Sequence, residues 1–452
     1  MGMSWNRRIE AQQLQTPYTA SGGSAALTCE TNPELANSIS RGSVVPLGAE
    51  LRFQLAREQM ISSVALRERG NHCSSFSIYG ERGGERFPLY ENDAIGGYLY
   101  CAFPPTAVSA LILVVNSSDN GGPVRLCSVE AGARPAAQHP FRISVYYPIE
   151  SGARYFSEHE NDPEFLRDLD LITDITVIGD MRFCRDGSLS YDAQTLRREL
   201  ASLRRAIGER QIRVWCCILN PRRKDGKLSN RDSVHAIRHH LDVMIENILA
   251  LCEEYALDGI DFDWEYPQLP HVWQIYSHLL TNLGRALHRR GLLLSSALSP
   301  WGIHLSRAAR ESLDFVNVMG YDWPKNKQKH HSEFYTCHYF CAKYFLKKGF
   351  EKRQLIIGVP FYGKVHYSGT SEQYAYSTFK IESRSSNISY RDGRAYYLNG
   401  YDLIYSKTAF TRDMGLAGVM VWCGKDDLPR ASGFSLFDAM EQAISQHMGE
   451  EL

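Results

Sequence analysis

The sequence predicts an α/β protein whose larger part is a (β/α)8 TIM barrel, preceded by an all-β sandwich domain. From about residue 141 onward, apolar segments of strand length alternate with segments of helical periodicity, as in a closed parallel barrel. Before that point, short strand-like segments are divided by turn signals. One segment of the second half carries a carboxylate on every second residue, which suits a barrel interior near its mouth.

The predicted barrel, residues 141–450, contains eight strand-like segments. They are Arg142–Tyr147, Ile175–Gly179, Ile212–Leu219, Gly259–Asp263, Leu292–Leu298, Phe315–Met319, Leu355–Val359 and Ala417–Trp422. After the seventh comes a stretch rich in Ser and Tyr, from Val365 to about Asn399, which predicts a short insertion with at most a few strands. A single amphipathic helix is expected from about Val234 to Tyr255, with Asp232 or Ser233 as its N-cap.

The region before the barrel is expected to have two parts. Residues 1–23 are polar and predict an N-terminal arm, and residues 24–135 predict the sandwich, with residues 131–140 as a linker. Candidate strands are Leu51–Leu55, Ser75–Tyr79, Tyr98–Phe103 and Ala110–Val115. Their order loosely resembles discoidin-like or galactose-binding-like jelly rolls, which often bind carbohydrate. A sandwich that only packs on the barrel is an equal alternative.

Composition excludes several classes of partner. The formal net charge is −1 at pH 7, so nothing predicts binding to nucleic acid or to anionic membrane. No run of about 18 apolar residues predicts a membrane span. The first residues lack the apolar core of a secretory signal, so the chain is expected to be cytoplasmic, or secreted with its signal already removed. A monomer is the default expectation.

The cysteines and histidines favour structural roles over metal binding. Eleven scattered cysteines indicate reduced, buried thiols rather than a disulfide framework. Cys337 and Cys341 are four residues apart, but no second ligand pair has matching spacing. The histidines at 235, 239 and 240 lie in a helical segment without an adjoining HExxH-type glutamate, so a solvated helix face is the better interpretation.

The segment from Asp258 to Pro267 carries the strongest chemical signal. In a strand, Asp261, Asp263 and Glu265 would share one face, while the apolar residues between them would face the surrounding helices. Converging carboxylates are costly unless some are protonated or hydrogen-bonded, and such places are usually functional. Asp258 has the opposite parity and is assigned to the start of the strand.

This segment closely resembles the D-x-x-D-x-D-x-E signature of glycoside hydrolase family 18, the chitinase family. It matches at Asp258, Asp261, Asp263 and Glu265, and the adjoining Tyr266 is that of the chitinase-type members. Further matches follow in the expected order. They are Tyr146 in strand one, Met319, Tyr321 and Asp322 at the end of strand six, Gly358–Gly363 in strand seven and Trp422 in strand eight.

One departure concerns strand three, where relatives carry an S-x-G-G motif. Here Cys217 takes the place of the serine that would hydrogen-bond the innermost aspartate, and Leu219 and Asn220 replace the glycines. A thiol is a weaker hydrogen-bond donor than a hydroxyl. The substitution therefore argues against chitin itself as the substrate and predicts a lower catalytic rate. Lys364 stands where many relatives carry arginine.

The resemblance implies substrate-assisted, retaining hydrolysis without a metal or organic cofactor. Glu265 would be the general acid and then the base, and Asp263 would orient the 2-acetamido group of the sugar. Asp261 would share a proton with Asp263, and Tyr321 would hold the acetamido oxygen. Tyr146, Tyr266, Met319, Asp322 and Trp422 would bind the substrate.

The predicted substrate is an oligo- or polysaccharide containing N-acetylglucosamine, cleaved at β-1,4 linkages. An endo-β-N-acetylglucosaminidase or a bacterial cell-wall glycan hydrolase is one alternative. A chitinase-like lectin without catalysis is another, although such proteins typically lose the glutamate found here at Glu265.

Overall fold

The barrel consists of eight parallel strands. The computed structural model describes residues 42–133, 140–223, 226–322, 330–365 and 372–445, and the backbone of residues 24–25 and 27–29. The barrel strands are β9 (Arg142–Pro148), β10 (Asp174–Ile178), β13 (Arg213–Leu219), β14 (Gly259–Asp263), β15 (Leu293–Leu298), β16 (Phe315–Val318), β17 (Leu355–Pro360) and β22 (Gly418–Trp422). Strand β10 pairs with both β9 and β13 and so closes the barrel. Two short strands, β11 (Arg182–Phe183) and β12 (Leu189–Ser190), pair with each other, and β11 also pairs with β13. All eight predicted strands are confirmed to within one residue at either end.

Helices surround the barrel. They are α1 (Tyr155–His159), α2 (Pro163–Leu169), α3 (Ala193–Ile207), α4 (Asn230–His239), α5 (Leu241–Glu254), α6 (Pro270–His288), α7 (Arg307–Glu311), α8 (Cys341–Lys347), α9 (Tyr401–Asp413) and α10 (Leu436–Ser445). A π-helical turn, Tyr335–Phe340, leads into α8. In the described part of the chain, no helix is long and apolar enough to span a membrane.

The prediction of a single helix before β14, with Asp232 or Ser233 as its N-cap, is wrong in two respects. The backbone leaves helical geometry at His240 (φ −137°, ψ 23°), which separates α4 from α5. The N-cap is Ser229, whose hydroxyl accepts the backbone N–H of Asp232 at 3.2 Å. The apolar stripe continues across the break because both helices pack on the same barrel wall, so periodicity could not reveal it.

The described region before the barrel consists of β-strands, as predicted, but not all of these strands are short. Its eight antiparallel strands are β1 (Ser24–Ala25), β2 (Leu27–Cys29), β3 (Ser43–Val45), β4 (Glu50–Arg69), β5 (Cys73–Arg82), β6 (Glu85–Asn92), β7 (Leu99–Ser118) and β8 (Val124–Gly132). The segments predicted at 98–103 and 110–115 are two halves of β7. Pro104 and Pro105 lie between them, where the pairing with β4 shifts register, and such irregularities accommodate prolines that cannot donate to the ladder.

Three further predictions concern the regions around these domains. The N-terminal arm, residues 1–23, lies outside the described residues, as do residues 134–139 of the predicted linker. The insertion after β17 contains a four-stranded antiparallel sheet, in agreement with the prediction of a few strands. Its strands are β18 (Tyr362–Val365), β19 (Gln373–Ala375), β20 (Ile388–Arg391) and β21 (Arg394–Tyr397). The ten described cysteines are free, and all but Cys184 are buried.

The N-terminal sheet packs on the barrel through helix α9, in which every residue except Asp402 is buried. Tyr100 on β7 donates its hydroxyl to Asp413 at 2.7 Å, and the backbone N–H of Ala102 donates to Ser406 at 3.2 Å. Tyr98 stacks on Tyr339 with ring centroids 4.1 Å apart. The interface is therefore part of the hydrophobic core and contains specific polar contacts.

Replacing Tyr100 by Phe should destabilise the whole chain. The change keeps the ring but removes the donor to a buried carboxylate, a loss of about 1 to 3 kcal/mol. Thermal unfolding checks it, with Tyr390→Phe as the control, because Tyr390 on β20 is 75 % exposed. If the two variants unfold at the same temperature, the Tyr100 hydroxyl contributes nothing to the docking of the sheet.

Candidate active site

Strand β14 presents its carboxylates to the barrel interior. Asp261 and Asp263 are buried inside, whereas Phe262 packs outward on Tyr276 of α6 with ring centroids 6.4 Å apart. Trp264 also faces the helices, and its indole N–H donates to Asn230 of α4 at 2.7 Å. The predicted alternation of the two faces is confirmed.

Asp258 lies at the start of β14, as its parity predicts. The backbone N–H of Val214 on β13 donates to its carboxylate at 2.8 Å. Asp258 is thus a structural part of the signature that joins neighbouring strands.

Asp261 is held by side chains from four other strands. Ser295 donates to its Oδ1 at 2.5 Å, Asn317 to the same oxygen at 3.1 Å, and Tyr146 to its Oδ2 at 2.8 Å. The Cys217 thiol is a further hydrogen-bond partner. Burial raises the pKa of Asp261 above its ordinary value, and these hydrogen bonds act against that rise. The weak donor at position 217 is therefore not the only support of this aspartate.

We expect Ser295→Ala to lower activity more than Cys217→Ser does. Ser295 supplies the shorter bond, and its removal leaves a buried carboxylate oxygen with one fewer donor, at a cost of about 1 to 3 kcal/mol. Cys217→Ser restores the stronger donor and should keep or raise kcat. The check is kcat for both variants on one chromogenic N-acetylchitobioside. A larger loss in Cys217→Ser would show that the thiol is the essential contact.

Asp263 and Glu265 form the chemically active pair. Asp263 is 7 % exposed, and its buried Oδ1 has no hydrogen-bond partner in the described part of the chain. The pKa of Asp263 is raised well above its ordinary value. Burial is the largest cause, and the charges of Glu265 and Asp261 follow. Glu265 is half-buried, and burial together with the charge of Asp322 raises its pKa as well. Coupling of this kind favours one shared proton on the pair.

A cavity of about 380 Å³ opens above this pair, within the size range of small-ligand sites. Eight of the nine predicted site residues line it, and Asp261 lies beneath them. The eight are Tyr146, Asp263, Glu265, Tyr266, Met319, Tyr321, Asp322 and Trp422. The indole of Trp422 lies against Tyr146 with ring centroids 5.8 Å apart. The structure thus brings together all the predicted residues.

Asp322 is fixed by three side chains. Lys364 lies 2.7 Å from its Oδ2, Tyr362 donates to its Oδ1 at 2.8 Å, and His331 lies 3.1 Å from the same oxygen. Burial acts to raise the pKa of Asp322, but the hydrogen bonds and charges of His331 and Lys364 outweigh it and hold the pKa below its ordinary value. Asp322 is therefore an anion at the wall of the cavity.

Sequence reasoning did not assign several residues of this site. Ser295 and Asn317 lie on strands already recognised, and polar residues at inward positions of buried strands were the available signal. His331 has no such signal, because only the folded loop brings it to Asp322. The remaining unassigned cavity residues are Ala297, Ser299, Trp301, Tyr362, Gln373 and Met420.

A second cavity of about 270 Å³ adjoins the first. The two share Tyr266, Ala297, Ser299 and Trp301 as lining residues. Tyr266 and Trp301 have ring centroids 6.1 Å apart. The cleft therefore continues from the carboxylates past this aromatic pair, into a cavity that Trp422 does not line.

Comparison with known proteins agrees with the fold. A chitinase from Bacteroides thetaiotaomicron superposes with a TM-score of 0.56 at 20% sequence identity, covering 70% of this chain and 100% of that chain. A class V chitinase from Nicotiana tobaccum gives a TM-score of 0.55 at 16% identity, covering 68% and 99%. At these identities the likeness concerns the fold.

Curated relatives match over shorter stretches. Probable chitinase 10 of Drosophila melanogaster is 32% identical over 150 residues, which is 26% of this chain and 6% of that protein. Chitotriosidase-1 of Mus musculus is 23% identical over 238 residues, which is 39% of this chain and 51% of that protein. The alignments thus span about half or less of these relatives.

The decisive match is to a family model. The model described as glycosyl hydrolases family 18 matches residues 155–427, which is more than half of the chain and contains all the carboxylates described above. The chain therefore belongs to glycosyl hydrolases family 18.

Proposed function

We propose that this protein is a glycosidase that cleaves β-1,4 linkages of glycans containing N-acetylglucosamine, with retention at the anomeric carbon. The observation that carries the proposal is the buried Asp263, whose Oδ1 has no hydrogen-bond partner among the described residues, beside the half-buried Glu265 in one cavity. A buried polar atom without a partner is costly, so this oxygen is ready for a ligand donor. The N–H of a 2-acetamido group is such a donor.

The chemistry follows from these positions. Glu265, whose pKa burial raises, would give a proton to the glycosidic oxygen while the acetamido carbonyl oxygen of the substrate attacks C1. The bond from C1 to the leaving sugar breaks, and a cyclic oxazolinium ion forms. Glu265, now a carboxylate, takes a proton from water, and that water attacks C1 and reopens the ring.

The other side chains would orient the sugar. Asp263 would accept the acetamido N–H and balance the positive charge of the oxazolinium ion. Tyr321 would hold the acetamido oxygen, and Trp422 would form the floor under the ring. Asp322, as an anion fixed by three partners, would contact the sugar hydroxyls.

The support of Asp261 favours catalysis over a lectin function. The replacement of a strand-three serine by Cys217 would weaken a site that depended on that one donor. Ser295, Asn317 and Tyr146 supply three others, so the innermost aspartate keeps a full set of hydrogen bonds. The relatives known as chitinases, among them a mutant of the class V chitinase from Nicotiana tobaccum solved in complex with NAG4, support a carbohydrate substrate.

Product analysis by mass spectrometry tests the proposal. The wild-type protein is incubated with chitin oligomers, a high-mannose glycopeptide and peptidoglycan fragments, and the released sugars are identified. Products from chitin oligomers support chitinase-like activity, whereas products from the glycopeptide or the peptidoglycan alone favour the corresponding alternative. Binding of these glycans without cleavage of any of them would support the lectin function and overturn the proposal.

A further inference from the structure

Arg182 lies on the same inner face of the barrel as Asp263. It belongs to β11 (Arg182–Phe183), where it pairs in register with Leu219, and Leu219 pairs in register with Asp263. Residues in register on parallel strands point to the same side of a barrel wall. Arg182 is therefore directed towards the interior, two strands away from the catalytic pair.

Arg182 carries a positive charge that its immediate neighbours compensate poorly. Its side chain is 11 % exposed, and its Nη1 donates to the backbone carbonyl of Asn220 at 2.7 Å. The nearest ion-pair partner, Asp180, is 3.8 Å away, is 65 % exposed and also lies 3.7 Å from Arg222. Such an exposed and shared contact compensates a buried charge poorly. A guanidinium does not lose its proton, so the charge is permanent.

We propose that Arg182 is a positioning residue that keeps the Asp263–Glu265 pair at one proton, so that one of its two carboxyl groups stays ionised. This inference rests on the proposed function. Without a nearby cation, Asp263 would face two other carboxyl groups in a buried site, and it would take up a proton. A neutral Asp263 could not balance the positive charge of the oxazolinium ion.

The electrostatic field at the pair supports this role. Burial, Glu265 and Asp261 raise the pKa of Asp263, and the charge of Arg182 lowers it. For Glu265, burial and Asp322 raise the pKa and Arg182 again lowers it. The other groups that interact electrostatically with Asp263 or Arg182 are Tyr146, Tyr266, Tyr276, Tyr321, Cys217, Asp180 and Arg222. Two of these groups, Arg182 and Arg222, carry a permanent positive charge. Arg222 acts on Arg182, and Arg182 is the one that acts on Asp263.

The pH profile of kcat/KM tests the inference in Arg182→Met, Arg182→Lys and the control Arg222→Met. Loss of the positive charge raises the pKa of both carboxyl groups. The acid limb reports the step from a doubly to a singly protonated pair, and the alkaline limb reports loss of the remaining proton. Both limbs should move up by about one pH unit in Arg182→Met. Arg182→Lys should retain most of the wild-type profile, and Arg222→Met all of it.

Two results would overturn the inference: unchanged limbs in Arg182→Met, or an equal shift in Arg182→Lys, which would indicate shape rather than charge. Thermal unfolding of each variant separates a folding defect from a change in titration. If the wild type cleaves no glycan, the proposed function fails, and the inference is then tested by carboxyl ¹³C NMR titration. Signals assigned with Asp263→Asn and Glu265→Gln should titrate at higher pH in Arg182→Met, and unchanged titration would refute the role.

Discussion

Glu265→Gln is expected to lower kcat by about 1,000-fold or more while the affinity for substrate stays close to that of the wild type. The amide has nearly the shape of the acid but cannot donate a proton to the glycosidic oxygen. Glu265 is half-buried and forms none of the hydrogen bonds that hold Asp261, so the variant should fold normally. Rates on a chromogenic N-acetylchitobioside and binding of chitin oligomers by calorimetry measure the two effects separately.

The matched control is Glu246→Gln on the exposed face of α5, which is not among the residues that line the cavity. It should leave both kcat and affinity unchanged. Were Glu265→Gln to retain the rate of this control, another group would have to supply the proton. Equal inactivity of wild type and variant, with binding intact, would instead point to the lectin.

Asp263→Asn should produce the second large effect, a loss of about 100-fold or more in kcat, since the variant removes the negative charge opposite the oxazolinium ion. An amide also presents an N–H where the acetamido N–H of the substrate needs an acceptor. Because the Asp263 carboxylate is buried, the neutral side chain should not destabilise the fold. Kinetics on the same chromogenic substrate and thermal unfolding check both parts.

The role of the acetamido group provides the corresponding substrate control. Wild type should cleave an N-acetylated substrate and leave its N-unsubstituted glucosamine counterpart intact, because the latter lacks the carbonyl oxygen that attacks C1. Asp242→Asn on the exposed face of α5 serves as the protein control. Cleavage of both substrates at similar rates would contradict substrate assistance and would require a protein nucleophile.

The replacement of the strand-three serine by Cys217 weakens one of several hydrogen bonds to Asp261 and leaves the others in place. Position 217 attracts notice because it departs from the strand-three motif. In the folded chain, however, β14 lies between β13 and β15, and Asp261 is in register with both Cys217 and Ser295. A carboxylate in such a position draws donors from both sides, so a weaker donor on one side need not leave it unsupported.

Much of the fold and most of the site follow from local pattern. Eight strands of the barrel could be located because buried parallel strands are short apolar runs between amphipathic helices. The row Asp261, Asp263 and Glu265 could be placed inside because side chains alternate along a strand. The resemblance to a family then supplied Tyr146, Met319, Tyr321, Asp322 and Trp422 at the ends of other strands, and the structure brings them to one cavity.

The long-range neighbours were beyond the reach of local pattern. The register between strands decides that Ser295 meets Asp261 and that Arg182 shares a face with Asp263. Loop conformation decides that His331 reaches Asp322. The sequence by itself determined which strands carry carboxylates and on which face, because that depends on the period of two along one strand. Only the tertiary structure decided which donors and charges surround those carboxylates, because hydrogen bonding and electrostatics depend on distances between segments remote in the chain.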